Sequence, residues 1–343
     1  MTRRFVILTE GYTDPIVAKT ASCVIRYRPE DVVALLDSTQ TGRTSGDLLG
    51  VGRVPIVGSL SAAPTATALL IGIANPGGKI PPLWRRIILE AIHRGLDVVC
   101  GLHDFLSDDP EFARAADERG VRLLDVLKNR FRQVATARGL REECLRVHTV
   151  GHDCSCGKMV TAVEVAQGLR HRGHDAKFCA TGQTGIIVEG DGYPIDCMVA
   201  DFVSGAAEQL VRDHQHHDVL VIEGQGSLVQ PLYSGVTLAL LHGCQPHGLI
   251  LCYEVGRQRT LHLEHVPLPP LATVKHVCEV MANVRHPCRV IAIAMNSRNV
   301  SAEQAEQERQ RVRQELGLPV CDVFRHGPDE LVDAVLALNA NRP

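Results

Sequence analysis

Residues 145–173, LRVHTVGHDCSCGKMVTAVEVAQGLRHRG, constrain the fold of this 343-residue chain more than any other stretch. Residues 145–150 are apolar with two polar interruptions, the composition of a buried strand. A loop of glycines and small polar residues follows. Ala162, Val165, Ala166 and Leu169 then recur at i, i+3, i+4 and i+7, the spacing of one helix face, and Gly173 stands where a C-terminal cap belongs. A strand, a tight glycine loop and a helix that opens on a lysine together make an anion cradle. Backbone N–H groups converge on the anion, the glycines permit close approach, and the lysine adds a mobile positive charge. The loop is Gly151, His152, Asp153, Cys154, Ser155, Cys156, Gly157 and Lys158. It is one residue longer than G-x-x-x-x-G-K, and Met159 occupies the position at which a Ser or Thr hydroxyl ordinarily meets magnesium.

Around this unit the chain alternates strand and helix, which predicts an α/β protein of two domains with mainly parallel sheets. The expected boundary gives a Rossmann-like domain over residues 1–140 and a P-loop NTPase-like domain over 141–343. In the first, strands are expected at 5–8, 32–36, 54–57, 68–74, 96–100 and 121–124. Helices are expected at 14–22, with Asp14 as cap and Pro15 in the first turn, at 81–94 and at 109–119. After the first strand the chain reads LTEGYTDP, without G-x-G-x-x-G, so a nicotinamide dinucleotide gets no support. The loops 38–44 and 75–79 are either ligand loops at strand ends or ordinary polar turns. Residues 125–144, with charges of both signs, read as a helical linker. In the second domain, strands are expected at 145–150, 176–180, 218–222, 247–253, 289–294 and 320–324, and helices at 201–212, 271–284 and 328–338.

Composition narrows the partners. A net charge of -3 with scattered basic residues does not predict nucleic-acid binding. No apolar run reaches the ~18 residues of a membrane span, and the N-terminal apolar run is too short for a signal peptide. The twelve cysteines include no C-x-x-C pair, which points to reduced thiols and a cytoplasmic location. The clusters His171/His174 and His214/His216/His217 lack the pairing of metal ligands, so no tightly bound metal is expected. Small-molecule substrates are the expected partners; a homo-oligomer is left open.

Three loops at strand ends are expected to converge on the phosphate loop. TGQTG contributes Gln183, Thr184 and Gly185; EGQGS contributes Glu223; MNS contributes Asn296. Glu223 is placed to bind magnesium if a metal is used, to act as a base, or to cap a turn. Asn296 is placed to contact an adenine or to cap the next helix. Met159 argues against magnesium-dependent phosphoryl transfer, in which the metal bridges β- and γ-oxygens, with Thr161 or Ser155 as the substitutes that would restore a hydroxyl.

The loop 151–159, Gln183-Thr184-Gly185 and Glu223-Gly224 resemble dethiobiotin synthetase, whose loop reads G-T-D-x-x-x-G-K-T and has the same length. That resemblance implies an ATP- and magnesium-dependent ligase or kinase. A longer one runs through GHDCSCGKM, ATGQTGIIVEGDG, DFVSGAAE, IEGQGSL, YSGVTLALLHG and LCYEVGR. These resemble the family of formerly unknown function now represented by D-glutamate N-acetyltransferase, with a Rossmann-like domain ahead of a phosphate-loop domain. It implies acetyl transfer from acetyl-coenzyme A, as co-substrate, to the amino group of D-glutamate or a similar amino acid. That chemistry asks for a base, for which Glu223, Asp201 and His242 are candidates, although His242 equally suits a structural hydrogen bond at a helix end. It also asks for cations to meet the acceptor's carboxylates, with Arg257 first and Arg43 and Lys79 after it. A non-catalytic nucleotide-binding protein is the third reading.

Overall fold

A computed structural model describes residues 3–340. The chain forms two compact units. One comprises the residues up to Asn129 together with Gln183–Gly190; the other comprises Arg130–Gly182 together with the chain from Asp191 onward.

The first unit is built on strands β1 (Phe5–Leu8), β2 (Val32–Leu36), β3 (Ile56–Val57), β4 (Ala68–Ile71), β5 (Asp97–Cys100) and β6 (Leu123–Asp125). They pair in parallel in the order β3-β2-β1-β4-β5-β6, the Rossmann order with its reversal between β1 and β4. FVIL and ALLI are buried along their whole length, as strands covered on both faces must be. The covering helices are Lys19–Tyr27, Arg85–His93, Pro110–Arg119 and the segment Gln183–Glu189.

Two expectations need correction. The helix predicted at 14–22 begins at Lys19. Asp14 does cap Ile16 N and Val17 N at 2.9 and 3.0 Å, but this closes only a turn. The following backbone is bonded to the sheet extension instead, Ala74 N to Val17 O and Ala21 N to Gly72 O, both at 2.9 Å. Residues 125–144 are not a helical linker: no helix forms there. The buried Glu208 carboxylate takes up Thr136 N, Thr136 Oγ1 and Ala137 N, and Ala137 adopts a left-handed φ of 53°. Those side-chain bonds satisfy backbone donors that a helix would have used itself.

The second unit is built on β7 (Leu145–Gly151), β8 (Ala176–Cys179), β9 (Val219–Ile222), β10 (Gly248–Glu254), a small antiparallel pair β11 (Arg259–Thr260) and β12 (Leu263–Pro267), then β13 (Arg289–Asn296) and β14 (Val320–Cys321). The main sheet is again all parallel, β14-β13-β10-β7-β9-β8. β7 therefore lies centrally between β10 and β9, and every residue of it is buried. Its C-terminal end delivers the glycine loop to the helix Lys158–His171. Among the described residues none of the twelve cysteines is paired in a disulfide, and no helix is long and apolar enough to cross a membrane.

Candidate active site

The loop after β7 is shaped by two left-handed residues, Ser155 at φ 51° and Gly157 at φ 109°. The second value lies beyond what a side chain tolerates comfortably, so glycine is required there. Gly151 is needed for space: a Cβ on it would lie 2.7 Å from the backbone oxygen of Asp153 and 2.7 Å from Lys158 Nζ. The buried lysine folds back over the strand end, and Nζ donates to Asp153 O at 2.8 Å.

Asp153, only 1% exposed, is the knot of the loop. Oδ1 accepts from Cys154 N at 2.7 Å and Gln230 Nε2 at 3.2 Å; Oδ2 accepts from Leu261 N at 2.7 Å and Arg257 Nη1 at 3.1 Å. The loop is thereby tied to the segment after β9 and to the turn between β11 and β12. Arg257 also donates to Cys154 O at 2.6 Å and to Glu254 at 2.6 Å, so its guanidinium braces the phosphate loop. Asp153→Ala would remove one of the two carboxylate partners of the half-buried Arg257 and strand two backbone N–H groups. We expect a loss of at least about 2 kcal/mol of stability, read as a lower denaturant midpoint.

Glu223 ends β9 one strand from the loop and is 4% exposed. Oε2 accepts from Thr181 N at 2.9 Å and Gly182 N at 3.2 Å, while Oε1 carries no hydrogen bond among the described residues. Burial pushes its pKa up to about 7; the two N–H groups pull against this, Asp196 adds to it and Lys158 opposes it. A carboxyl group that ionises near neutrality beside an anion cradle can take and return a proton. Gly224 follows it, and its N–H donates to Thr149 Oγ1 at 2.9 Å.

Under the loop, in β7, His148 is fully buried and neither ring nitrogen is hydrogen-bonded; Ile222 O lies nearby without hydrogen-bond geometry. Burial above all, with Lys158 adding to it, lowers its pKa from 6.5 to about 4. The unfolded chain therefore binds a proton between those values that the fold refuses. Stability from this residue is intact above pH 6.5 and falls away as pH drops towards 4, by about 3 kcal/mol. Unfolding curves of His148→Leu at pH 7.5 and pH 4.5 should show a smaller acid loss than those of the unchanged chain.

The other expected residues are placed as follows. His152 Nε2 meets Pro269 O at 2.7 Å. Cys156 Sγ rests on Asp153 O and Cys252 O. Thr161 is buried, and Met159 is half-buried in the first turn of the helix. Asn296 ends β13 in register with Glu254 and accepts from Arg298 N at 3.3 Å. Gln183, Thr184 and Gly185 form the first turn of a helix in the first unit, where Thr184 Oγ1 lies 2.8 Å from Thr20 Oγ1. Asp201 is exposed in the first turn of the helix Ala200–His214. His242 Nε2 is engaged by Met281 O at 3.1 Å. Lys79 pairs with Asp104 at 2.7 Å, and Arg43 is exposed.

The sequence reading missed Glu142, His247 and His286, whose ligand-type atoms gather at the opposite, N-terminal edge of the sheet. His247 Nδ1 accepts from Arg146 N at 3.0 Å. Its ring proton thus sits on Nε2, which donates to Glu142 Oε2 at 3.2 Å and has no lone pair left for a metal. Segments far apart in sequence supply these residues, and no local motif announces them.

A Rossmann-ordered unit together with a phosphate-loop unit that holds a buried lysine and a buried glutamate defines a two-domain α/β protein of the P-loop class. The chain belongs to the DUF1611 family, defined as a domain of unknown function: its P-loop domain matches residues 133–332 and its Rossmann-like domain residues 38–129. The chain is 37% identical to the D-glutamate N-acetyltransferase of Tritonibacter scottomollicae over 326 residues, 95% of this chain and 96% of that protein. It is 38% identical to the D-glutamate N-acetyltransferase of Pseudoalteromonas sp over 329 residues, 96% of this chain and 97% of the relative. The crystal structure of a DUF1611 family protein from Anabaena variabilis superposes with a TM-score of 0.91 at 37% identity, covering 98% of this chain and 99% of the other.

Proposed function

We propose that the protein transfers acetyl from acetyl-coenzyme A to the amino group of D-glutamate or a similar amino acid. The full-length similarity to two D-glutamate N-acetyltransferases carries this reading, and the chemistry of the site agrees with it. The phosphate loop with Lys158 suits the phosphates of coenzyme A. An amine is protonated at neutral pH and must lose a proton to become a nucleophile. Glu223, with Oε1 unengaged and a pKa near 7, is suited to take it. The amine nitrogen then bonds to the thioester carbonyl carbon, the carbon–sulfur bond breaks, and coenzyme A leaves as the thiol, with backbone N–H groups of the glycine loops suited to hold the oxyanion. Met159 offers magnesium no hydroxyl at the position where the metal's ligand ordinarily stands, which disfavours an ATP-dependent ligase or kinase.

Free thiol released from acetyl-coenzyme A, measured over a panel of D- and L-amino acids, tests the reading. Release that depends on D-glutamate or a close analogue is expected; no acceptor-dependent release would sink it. Lys158→Ala is expected to raise KM for acetyl-coenzyme A by about tenfold or more and to remove the thermal stabilisation that coenzyme A confers.

A further inference from the structure

The geometry points to the side-chain oxygen of Gln225 as the second receiver of the acceptor's ammonium group, beside Glu223. The assignment rests on the acetyl-transfer reading and adds a residue to that same site.

Gln225 lies two positions after Glu223 in the loop EGQGS, and both side chains bond to one residue. Thr181 N donates to Glu223 Oε2 at 2.9 Å, and Gln225 Nε2 donates to Thr181 Oγ1 at 3.1 Å. The hydroxyl fixes which way the carboxamide points. Thr181 Oγ1 gives its single proton to Glu223 O at 2.9 Å, so towards Gln225 it can only accept, and the nitrogen end must face it. Oε1 is the end left over. Like Glu223 Oε1, it carries no hydrogen bond among the described residues. Both groups also close on Gly182. Its N–H donates to Glu223 Oε2 at 3.2 Å, and a Cβ on it would lie 2.4 Å from Gln225 Nε2. The two unengaged oxygens therefore belong to groups held by the same pair of residues.

The loop that carries them is fixed on every side. Gln225 O accepts from Thr237 Oγ1 at 2.7 Å, Gly224 N donates to Thr149 Oγ1 at 2.9 Å, and Ser227 Oγ donates to His152 O at 3.3 Å. Those bonds occupy the hydroxyls of Thr149, Thr237 and Ser227, as Glu223 O occupies that of Thr181. Asp153 and Glu254 are consumed by Arg257 and backbone donors. Gln225 is half-buried, so its oxygen stays within reach of a ligand. Every one of these residues lies in the second unit.

An acceptor amine arrives as an ammonium with three N–H bonds. One proton passes to Glu223, and the nitrogen then attacks the thioester carbon and becomes cationic again. A second proton leaves with the sulfur as the carbon–sulfur bond breaks, which makes the thiol, and Glu223 returns the first to solvent. The third N–H persists in the amide product. Gln225 Oε1 accepts that N–H throughout, which sets the nitrogen beside the base. A carboxamide suits this task because its oxygen holds an N–H without competing for the proton. A second carboxylate there would oppose ionisation of Glu223.

The test is steady-state kinetics on the full chain, varying amino acid and acetyl-coenzyme A separately as a function of pH. Gln225→Met keeps the length of the side chain and removes both polar atoms. It should raise the amino-acid KM by about tenfold or more. KM for acetyl-coenzyme A should be unchanged, and the rise of kcat/KM through the Glu223 pKa of about 7 should remain. Gln225→Ser carries the same expectations and stands in for Met if that variant fails to fold. Gln225→Glu keeps an oxygen for the ammonium. It should hold the amino-acid KM near that of the unchanged chain while moving the pH limb upward. An unchanged amino-acid KM in Gln225→Met or Gln225→Ser overturns the assignment. So does an equal rise in both KM values, or loss of the pH limb in these variants, since either confines Gln225 to holding the loop. A Gln225→Glu enzyme as impaired towards the amino acid as Gln225→Met would make Nε2 the working atom, and also overturns it. Absence of acceptor-dependent thiol release from the unchanged chain overturns the acetyl-transfer reading itself, which keeps the two failures apart.

Discussion

Glu223→Gln should lower kcat for acetyl transfer by about 10²–10⁴-fold, the usual contribution of a positioned general base, while binding of coenzyme A survives. Glutamine can still accept the Thr181 and Gly182 N–H bonds through its amide oxygen, so the loop geometry is kept and only the proton acceptor is lost. The pH dependence supplies a second signature. The base form of Glu223 prevails above a pKa of about 7, so kcat/KM of the unchanged enzyme should rise with pH through that value. In Glu223→Gln this limb should vanish.

The same substitution has a stability signature of opposite sign to the kinetic loss. The folded-state pKa of Glu223 is raised above the unfolded value of 4.5. The fold therefore binds more protons than the unfolded chain between pH 4.5 and about 7, and stability falls as pH rises through that window, by about 3 kcal/mol in all. Glu223→Gln should remove this decline and melt higher than the unchanged chain at pH 8. His148 works in the other direction between pH 6.5 and 4, so the two residues offset each other over much of their range. The acid slope of His148 should be clearest in the Glu223→Gln background. An active Glu223→Gln enzyme with a normal pH profile would remove the glutamate from the chemistry.

The largest expected effect on folding is that of Gly224→Ala. A Cβ at this position would lie 1.7 Å from Thr149 O and 3.1 Å from Lys158 Cδ. The first neighbour is backbone of the central strand and cannot move aside without disturbing the β7–β9 register. We expect a loss of at least about 3 kcal/mol, seen as a marked drop in denaturant midpoint or in soluble yield. Gly235→Ala is the matched control. It lies in the first turn of the helix Ser234–Cys244 with nothing within 4 Å of its Cβ position, and it should be neutral or slightly stabilising. Equal behaviour of the two variants would show that the close approach of Gly224 to β7 is not needed.

Much of the fold was legible because the signals are local. Continuous apolar runs such as FVIL and ALLI announce strands buried on both faces, and the glycine loop with Lys158 announces the anion cradle. Asp109 capping Pro110–Arg119 and Gly120 closing it at φ 65° are likewise written in a few adjacent residues. The helix Ala302–Leu316 escaped, although Ser301 and Gln304 form a capping box, because its apolar stripe is thin. Residues 125–144 failed for a different reason: the carboxylate that sets their path, Glu208, is some seventy positions away.

The site divides in the same way. Sequence alone determined the α/β class, the phosphate loop, its missing hydroxyl and the presence of an acid at Glu223, since each depends on neighbours along the chain. Tertiary structure decided what those residues are available to do. It spent Arg257 on Asp153 and Glu254 and His242 on Met281 O. It put Gln183, Thr184 and Gly185 into a helix of the first unit. It buried Glu223 under two N–H groups. Burial and hydrogen-bond partners come from residues far apart in sequence, and it is burial that moves a carboxyl group towards neutrality. The residue types were readable from the chain, and their protonation and engagement only from the packing.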